Sequence, residues 1–139
     1  MNALAAIVGV VLAIAVAIFA RIVGFDRERT FYPVVLVVVG SYYDLFAIMA
    51  GGAKLIPEGI GFILFAAAAA IGFRTTLWVI VAGLAGHGVF DLLHPVLIDN
   101  PGAPAWWPSW CLAYDVAAAA CLAALIKTGG VSARATHSA

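Results

Sequence analysis

Three residues in one apolar stretch carry most of the chemistry this sequence offers: His87, Asp91 and His94. Their spacing, i, i+4 and i+7, places them on one stripe of a helix. Imidazole nitrogen and carboxylate oxygen suit a divalent metal, zinc first, iron or manganese as alternatives. A His and an Asp one turn apart can share one ion. Asp91 and His94 also repeat the acid-x-x-His spacing of di-iron bundles, with Asp where those carry Glu. One ion does not take both histidines, because about 10 Å of helix rise separates them. Either one histidine is an outer or catalytic group, or two ions bind. Asp44 and Asp115, from other apolar stretches, are the candidates to complete the site or supply its base. Pro95 blocks the helical hydrogen bond to the Asp91 carbonyl and leaves one more acceptor beside the stripe.

The elements that must position these groups are membrane spans. The chain has 139 residues, 65% hydrophobic and 10% charged. A soluble domain is closer to half apolar and about a quarter charged, and a chain this short cannot hide the excess in one core. Its formal net charge of zero gives no electrostatic case for a nucleic-acid partner. Apolar runs bounded by Pro, Gly and charge predict an all-α bundle of about five transmembrane helices, over 4–23, 33–50, 56–73, 75–94 and 110–126. They form one domain, 1–139, with a polar tail over 127–139. The third run is the shortest, and a re-entrant third helix is the alternative. Residues 98–109, with three prolines and a glycine, read as a loop. The fourth helix is expected to end or kink at His94.

The first apolar run has no basic residue in front of it and ends at Arg21, which fits a helix inserted with its N-terminus outside rather than a secretory signal. Arg21, Arg27, Arg29, Arg74, Lys127 and Arg134 then fall on the cytoplasmic side and Lys54 alone outside. The N-terminus is therefore expected outside and the C-terminus in the cytoplasm. Trp106, Trp107 and Trp110 would form an aromatic belt at the outer interface. With that orientation, the second to fifth helices all bring ionisable groups to the outer half of the bilayer. Small residues accompany them: Gly40, Ser41, Ala47 and Gly51 beside Asp44, Cys111, Ala118 and Ala119 beside Asp115, Gly83 beside His87. Small residues mark faces where helices approach closely.

Ionisable groups inside a bilayer are costly and mark function by default. Three readings compete: a metal site, a proton or cation pathway, and a polar knot that only fixes the packing. Ser41, Asp44 and Asp115 are the candidate catalytic groups. Tyr43, Glu58, Tyr114 and Asp99 are candidate outer or pocket groups, although each has a plainer role. Tyr43 and Tyr114 suit the interface, Glu58 a helix N-terminus, and Asp99 a turn. Cys111 and Cys121, about 15 Å apart along one helix, cannot form a disulfide and read as small apolar residues. His137 lies in the polar tail.

FDRERTFYPVVLVVVGSYYDLFAIM (25–49) and GHGVFDLLHPVLIDNPGAPAWWPSWCLAYD (86–115) resemble a family of small bacterial integral membrane proteins of unknown function. That resemblance implies a multi-pass protein of the cell membrane, in bacteria the inner membrane. A more distant similarity is to the alkaline-ceramidase-like membrane hydrolases, which use Ser, Asp and three His around zinc in a seven-helix bundle. Ser41, Asp44, His87 and His94 echo that set. This chain departs from it in having about five helices and no third histidine within them. Together these readings lead to an expected metal-dependent membrane hydrolase acting on a lipid-like or amphiphilic substrate, in which a metal activates water and a spare carboxylate is the base. Membrane lipid would be its partner. A small transporter, channel or sensor using the same groups is the alternative, and five short helices would then need to oligomerise.

Overall fold

A computed structural model of the chain describes residues 1–135; His137 lies outside them. Five long helices occupy the described residues: α1 (Ala3–Val23), α2 (Phe31–Met49), α3 (Leu55–Arg74), α4 (Leu77–Leu97) and α5 (Trp107–Lys127). A short 3-10 turn, Phe25–Arg27, follows α1. Each helix has 19 to 21 residues and is apolar enough to cross a membrane, because about 20 residues at about 1.5 Å each match the hydrocarbon core. The chain is a multi-pass membrane protein, with α3 a full unbroken helix of 20 residues.

Local signals set the boundaries. Asn2 caps α1, its side chain accepting from the Ala5 amide at 3.1 Å. Gly24 ends α1 at φ 92°, donating to the Ala20 carbonyl, a left-handed cap that glycine adopts without strain. Gly51 and Gly52 do the same after α2, at φ 90° and 84°. Two ends differ from the sequence expectation by three residues, the others by at most two. Helix α4 does not stop at His94 but runs through Pro95 to Leu97, and Ile98 still donates to the His94 carbonyl at 2.8 Å. Proline removes a single bond, the one to Asp91, and near a helix end little remains to be disrupted. Helix α5 starts at Trp107 rather than 110, with Pro108 in its first turn. A first-turn proline is pre-organised for a helix, so a residue read as a loop-former is a starter.

The helices pack in a spatial order unlike the chain order. α1 lies chiefly on α5, α5 on α4, α4 on α3 and α3 on α2, while α2 also touches α4. Glycines decide the closest approaches. A Cβ at Gly9 would collide with the Trp110 carbonyl of α5, and one at Gly88 would sit 3.3 Å from the Leu112 carbonyl and 3.5 Å from Asp115 Cβ. Replacing Gly9 with leucine is therefore expected to push α1 off α5 and to cost about 1–3 kcal/mol, read as an earlier unfolding midpoint in detergent.

Antiparallel packing gathers the charges. One end holds Arg21, Arg27, Arg29, Arg74, Lys127 and Arg134, and the other holds Lys54. Arg29 ties the basic end together, donating to the carbonyls of Gly72 (3.2 Å), Phe73 (2.9 Å) and Ser132 (2.7 Å). Residues after α5 return to this end, with Leu77 donating to the Ala133 carbonyl and Ala135 to that of Thr75. The tryptophans do not form a uniform belt. Trp106 is 45% exposed, but Trp107 is 8% exposed and sits inward against Tyr42, Phe46 and Trp110. Adjacent helical positions point about 100° apart, so consecutive tryptophans cannot share one face.

Candidate metal centre

The polar centre lies where α4 and α5 meet. His87 and Asp91 face α5 from consecutive turns of α4, and Cys111 and Asp115 answer from consecutive turns of α5. Gly88 lets the two backbones come this close. All four side chains are buried, His87 at 1% exposure and the other three at 0%. One potential ligand atom from each lies within 4.8 Å of all the others.

The contacts are specific. His87 Nδ1 and Asp115 Oδ2 share a hydrogen bond of 2.6 Å. Asp91 Oδ2 lies 3.3 Å from the same nitrogen yet has no hydrogen-bond partner. Asp91 Oδ1 accepts from the Tyr43 hydroxyl at 2.8 Å. Cys111 Sγ donates to Asp115 Oδ2 at 3.7 Å. Two buried carboxylate oxygens, Asp91 Oδ2 and Asp115 Oδ1, have no partner. Phe65 of α3 closes the wall, its ring edge-on to His87 at 4.7 Å.

This donor set could hold a metal ion. Nitrogen and oxygen ligands about 2.0–2.1 Å from zinc lie roughly 3.3 Å apart in a tetrahedron. The His87–Asp91 separation already matches, at 3.3 Å. The His87–Asp115 contact of 2.6 Å is a hydrogen bond and would have to open, or Asp115 would turn its unpartnered Oδ1 to the ion. The two orphaned oxygens are what a cation would satisfy, since buried polar groups without partners are costly.

No known family, no curated protein and no solved structure matches this chain.

The other residues singled out in the sequence take different places. His94 does not join His87 and Asp91. It pairs through Nε2 with Glu58 Oε1 of α3 at 2.9 Å, nearly two turns further along α4, as the helix rise between the histidines requires. Asp44 faces α3 instead of the centre: its Oδ1, buried and unpartnered, lies 3.7 Å from where a Cβ on Gly59 would be. Tyr43, its neighbour about 100° around the helix, reaches the centre in its stead. Ser41 donates to the Val38 carbonyl of its own helix at 2.7 Å. Tyr114 turns away and stacks on Trp110 at 5.5 Å. Asp99 is exposed in the loop.

Two contributors escaped the sequence reading. By sequence Cys111 reads as a small apolar residue, although it stands at i, i+4 from Asp115 just as His87 does from Asp91. That repeated spacing on consecutive helices was the available signal. Asn100 falls in the segment 98–109, which reads as a loop, and is not among the candidate site residues there. It is buried, and its amide donates to Glu58 Oε1 at 2.8 Å and to the Tyr43 carbonyl at 3.2 Å.

Proposed function

We propose that this protein binds one divalent metal ion, zinc by preference, between α4 and α5, and uses it to hydrolyse a lipid-like or amphiphilic substrate. One observation carries the metal reading: His87, Asp91, Cys111 and Asp115 bring four ligand atoms within 4.8 Å and leave two carboxylate oxygens unpartnered. A thiolate and an imidazole among the ligands favour zinc over magnesium, calcium or manganese. When bound, the ion would supply Lewis acidity and lower the pKa of water. Two aspartates in the set allow one to ligate while the other holds a proton, the division of labour hydrolysis needs. Support for an amphiphilic substrate comes from an apolar groove of about 210 Å³ between α1, α2 and α5. Tyr42 and Tyr114 line it, and they are the chain neighbours of Tyr43 and Asp115.

The charge asymmetry of the two ends supports an N-terminus outside and a C-terminus in the cytoplasm of a cell membrane, the inner membrane if the host is bacterial. The centre would then lie from mid-bilayer outward. Complete burial of the four ligands favours a second reading, in which the ion or a proton is stored, sensed or moved, the chain acting as an oligomer.

The test is elemental analysis of detergent-purified protein. About one zinc per chain is expected in the wild type and none in His87→Ala or Asp115→Ala. Wild-type protein that retains no metal and gains no thermal stability from added zinc would sink the metal reading. Zinc-dependent release of fatty acid or headgroup from mixed-lipid vesicles is expected under hydrolysis. Zinc-loaded protein that cleaves nothing, but changes metal or proton flux in sealed vesicles, would replace hydrolysis with the second reading.

A further inference from the structure

A second layer of buried polar groups lies one turn beyond the proposed metal centre. His94 and Asn100 both bond to Glu58 Oε1, at 2.9 and 2.8 Å. Asn100 Oδ1 accepts from the Gly102 amide at 3.1 Å, which fixes the loop that carries it. The His94 ring lies flat on Tyr43, with centroids 3.6 Å apart and planes 16° from parallel. Phe90 meets both rings edge-on, at 5.9 and 5.4 Å. Tyr43 thus belongs to both layers: its ring is clamped by His94, its carbonyl is held by Asn100, and its hydroxyl bonds to Asp91 Oδ1 at 2.8 Å.

We infer that Tyr43 is the positioning residue of the metal centre, held in place by the His94–Glu58–Asn100 layer. The inference rests on the metal reading above. A carboxylate free to rotate offers either oxygen, or both, to an ion. With Oδ1 engaged by the phenol, Asp91 presents Oδ2 alone, at the 3.3 Å from His87 Nδ1 that a shared ion needs. The phenol can do this only while its ring is fixed, and the stack on His94 fixes it. His94 in turn is oriented by Glu58, and Glu58 is tied to the loop through Asn100. Partners that orient metal ligands in this way are worth about 10–100-fold in metal affinity.

Cobalt(II) is the probe, titrated under reducing conditions into the full chain in detergent. Wild type is expected to give visible d–d absorption together with a charge-transfer band from the Cys111 thiolate. Tyr43→Phe keeps the ring and its stack and loses only the hydroxyl. Its cobalt affinity should fall about 10–100-fold, with the d–d bands altered and the thiolate band retained at saturation. Glu58→Ala, which touches none of the four ligands, should weaken cobalt in the same direction. Glu58→Gln, which can still accept from His94 and Asn100, should restore most of the affinity. This second pair carries the test if Tyr43→Phe does not fold. Wild-type affinity in Tyr43→Phe, or in Glu58→Ala, overturns the inference while leaving the metal reading standing. Loss of the thiolate band from Tyr43→Phe also overturns it, since the site has then collapsed rather than lost an orienting bond. Absence of any cobalt spectrum in the wild type ends both.

Discussion

Replacing His87 with alanine is expected to cost about 3–5 kcal/mol of stability even when metal is chelated away. The imidazole lies 2.6 Å from Asp115 and 3.3 Å from Asp91, at 1% exposure. Without it, two aspartates face each other, Asp91 keeping only the Tyr43 hydroxyl and Asp115 only the Cys111 thiol. The loss is larger than a cavity of that size explains, and a double variant separates the terms. His87→Leu combined with Asp115→Asn fills the space and removes one carboxylate, so more than half the stability should return while metal stays absent. Unfolding titrations in detergent at fixed chelator concentration read both. A single-variant loss under about 1 kcal/mol would mean that the carboxylates are not held as the contacts imply.

Cys111→Ser is expected to change which metal the centre prefers, with little change in fold. The side chain is fully buried, and serine nearly matches its volume. What disappears is the soft ligand. Removal of an outer orienting group already costs about 10–100-fold, so loss of a direct ligand should weaken zinc and cadmium by at least about a hundredfold. The remaining imidazole and two carboxylates are harder donors, which narrows the gap to manganese. Competition titrations of zinc against manganese measure the shift, and the cobalt charge-transfer band should vanish. Undiminished zinc preference in Cys111→Ser would place the ion elsewhere.

Composition and punctuation made five helices legible, because an apolar run of about 20 residues in so uncharged a chain has few alternatives. Helix ends were less legible where proline was involved. Pro95 and Pro108 carry the same ring, and only their place in the helix decides that one is tolerated in the last turn of α4 while the other helps to start α5. Of the site, the His87–Asp91 pair and its meeting with Asp115 could be read from spacing and depth. The choice between Tyr43 and Asp44 could not. They are neighbours in sequence, and rotation of α2 about its own axis decides which faces α4. That rotation is set by Leu36 fitting against Gly83 and by Phe65 against Gly40, contacts that no single helix displays. The same holds for Cys111, whose apolar character in isolation hides what its partners across the interface make of it.

The spatial order of the helices has a consequence for how the molecule is made. Synthesis delivers α1 to the bilayer before α5, yet α1 rests chiefly on α5. It must therefore wait in lipid, without the neighbour that Gly9 was shaped for, until the last span arrives. Cys111 and Asp115 arrive with that span too. Until then His87 and Asp91 stand in the membrane with half of their centre missing. Insertion of α5 completes the scaffold and the candidate metal centre in one event, so a chain stalled before it has neither.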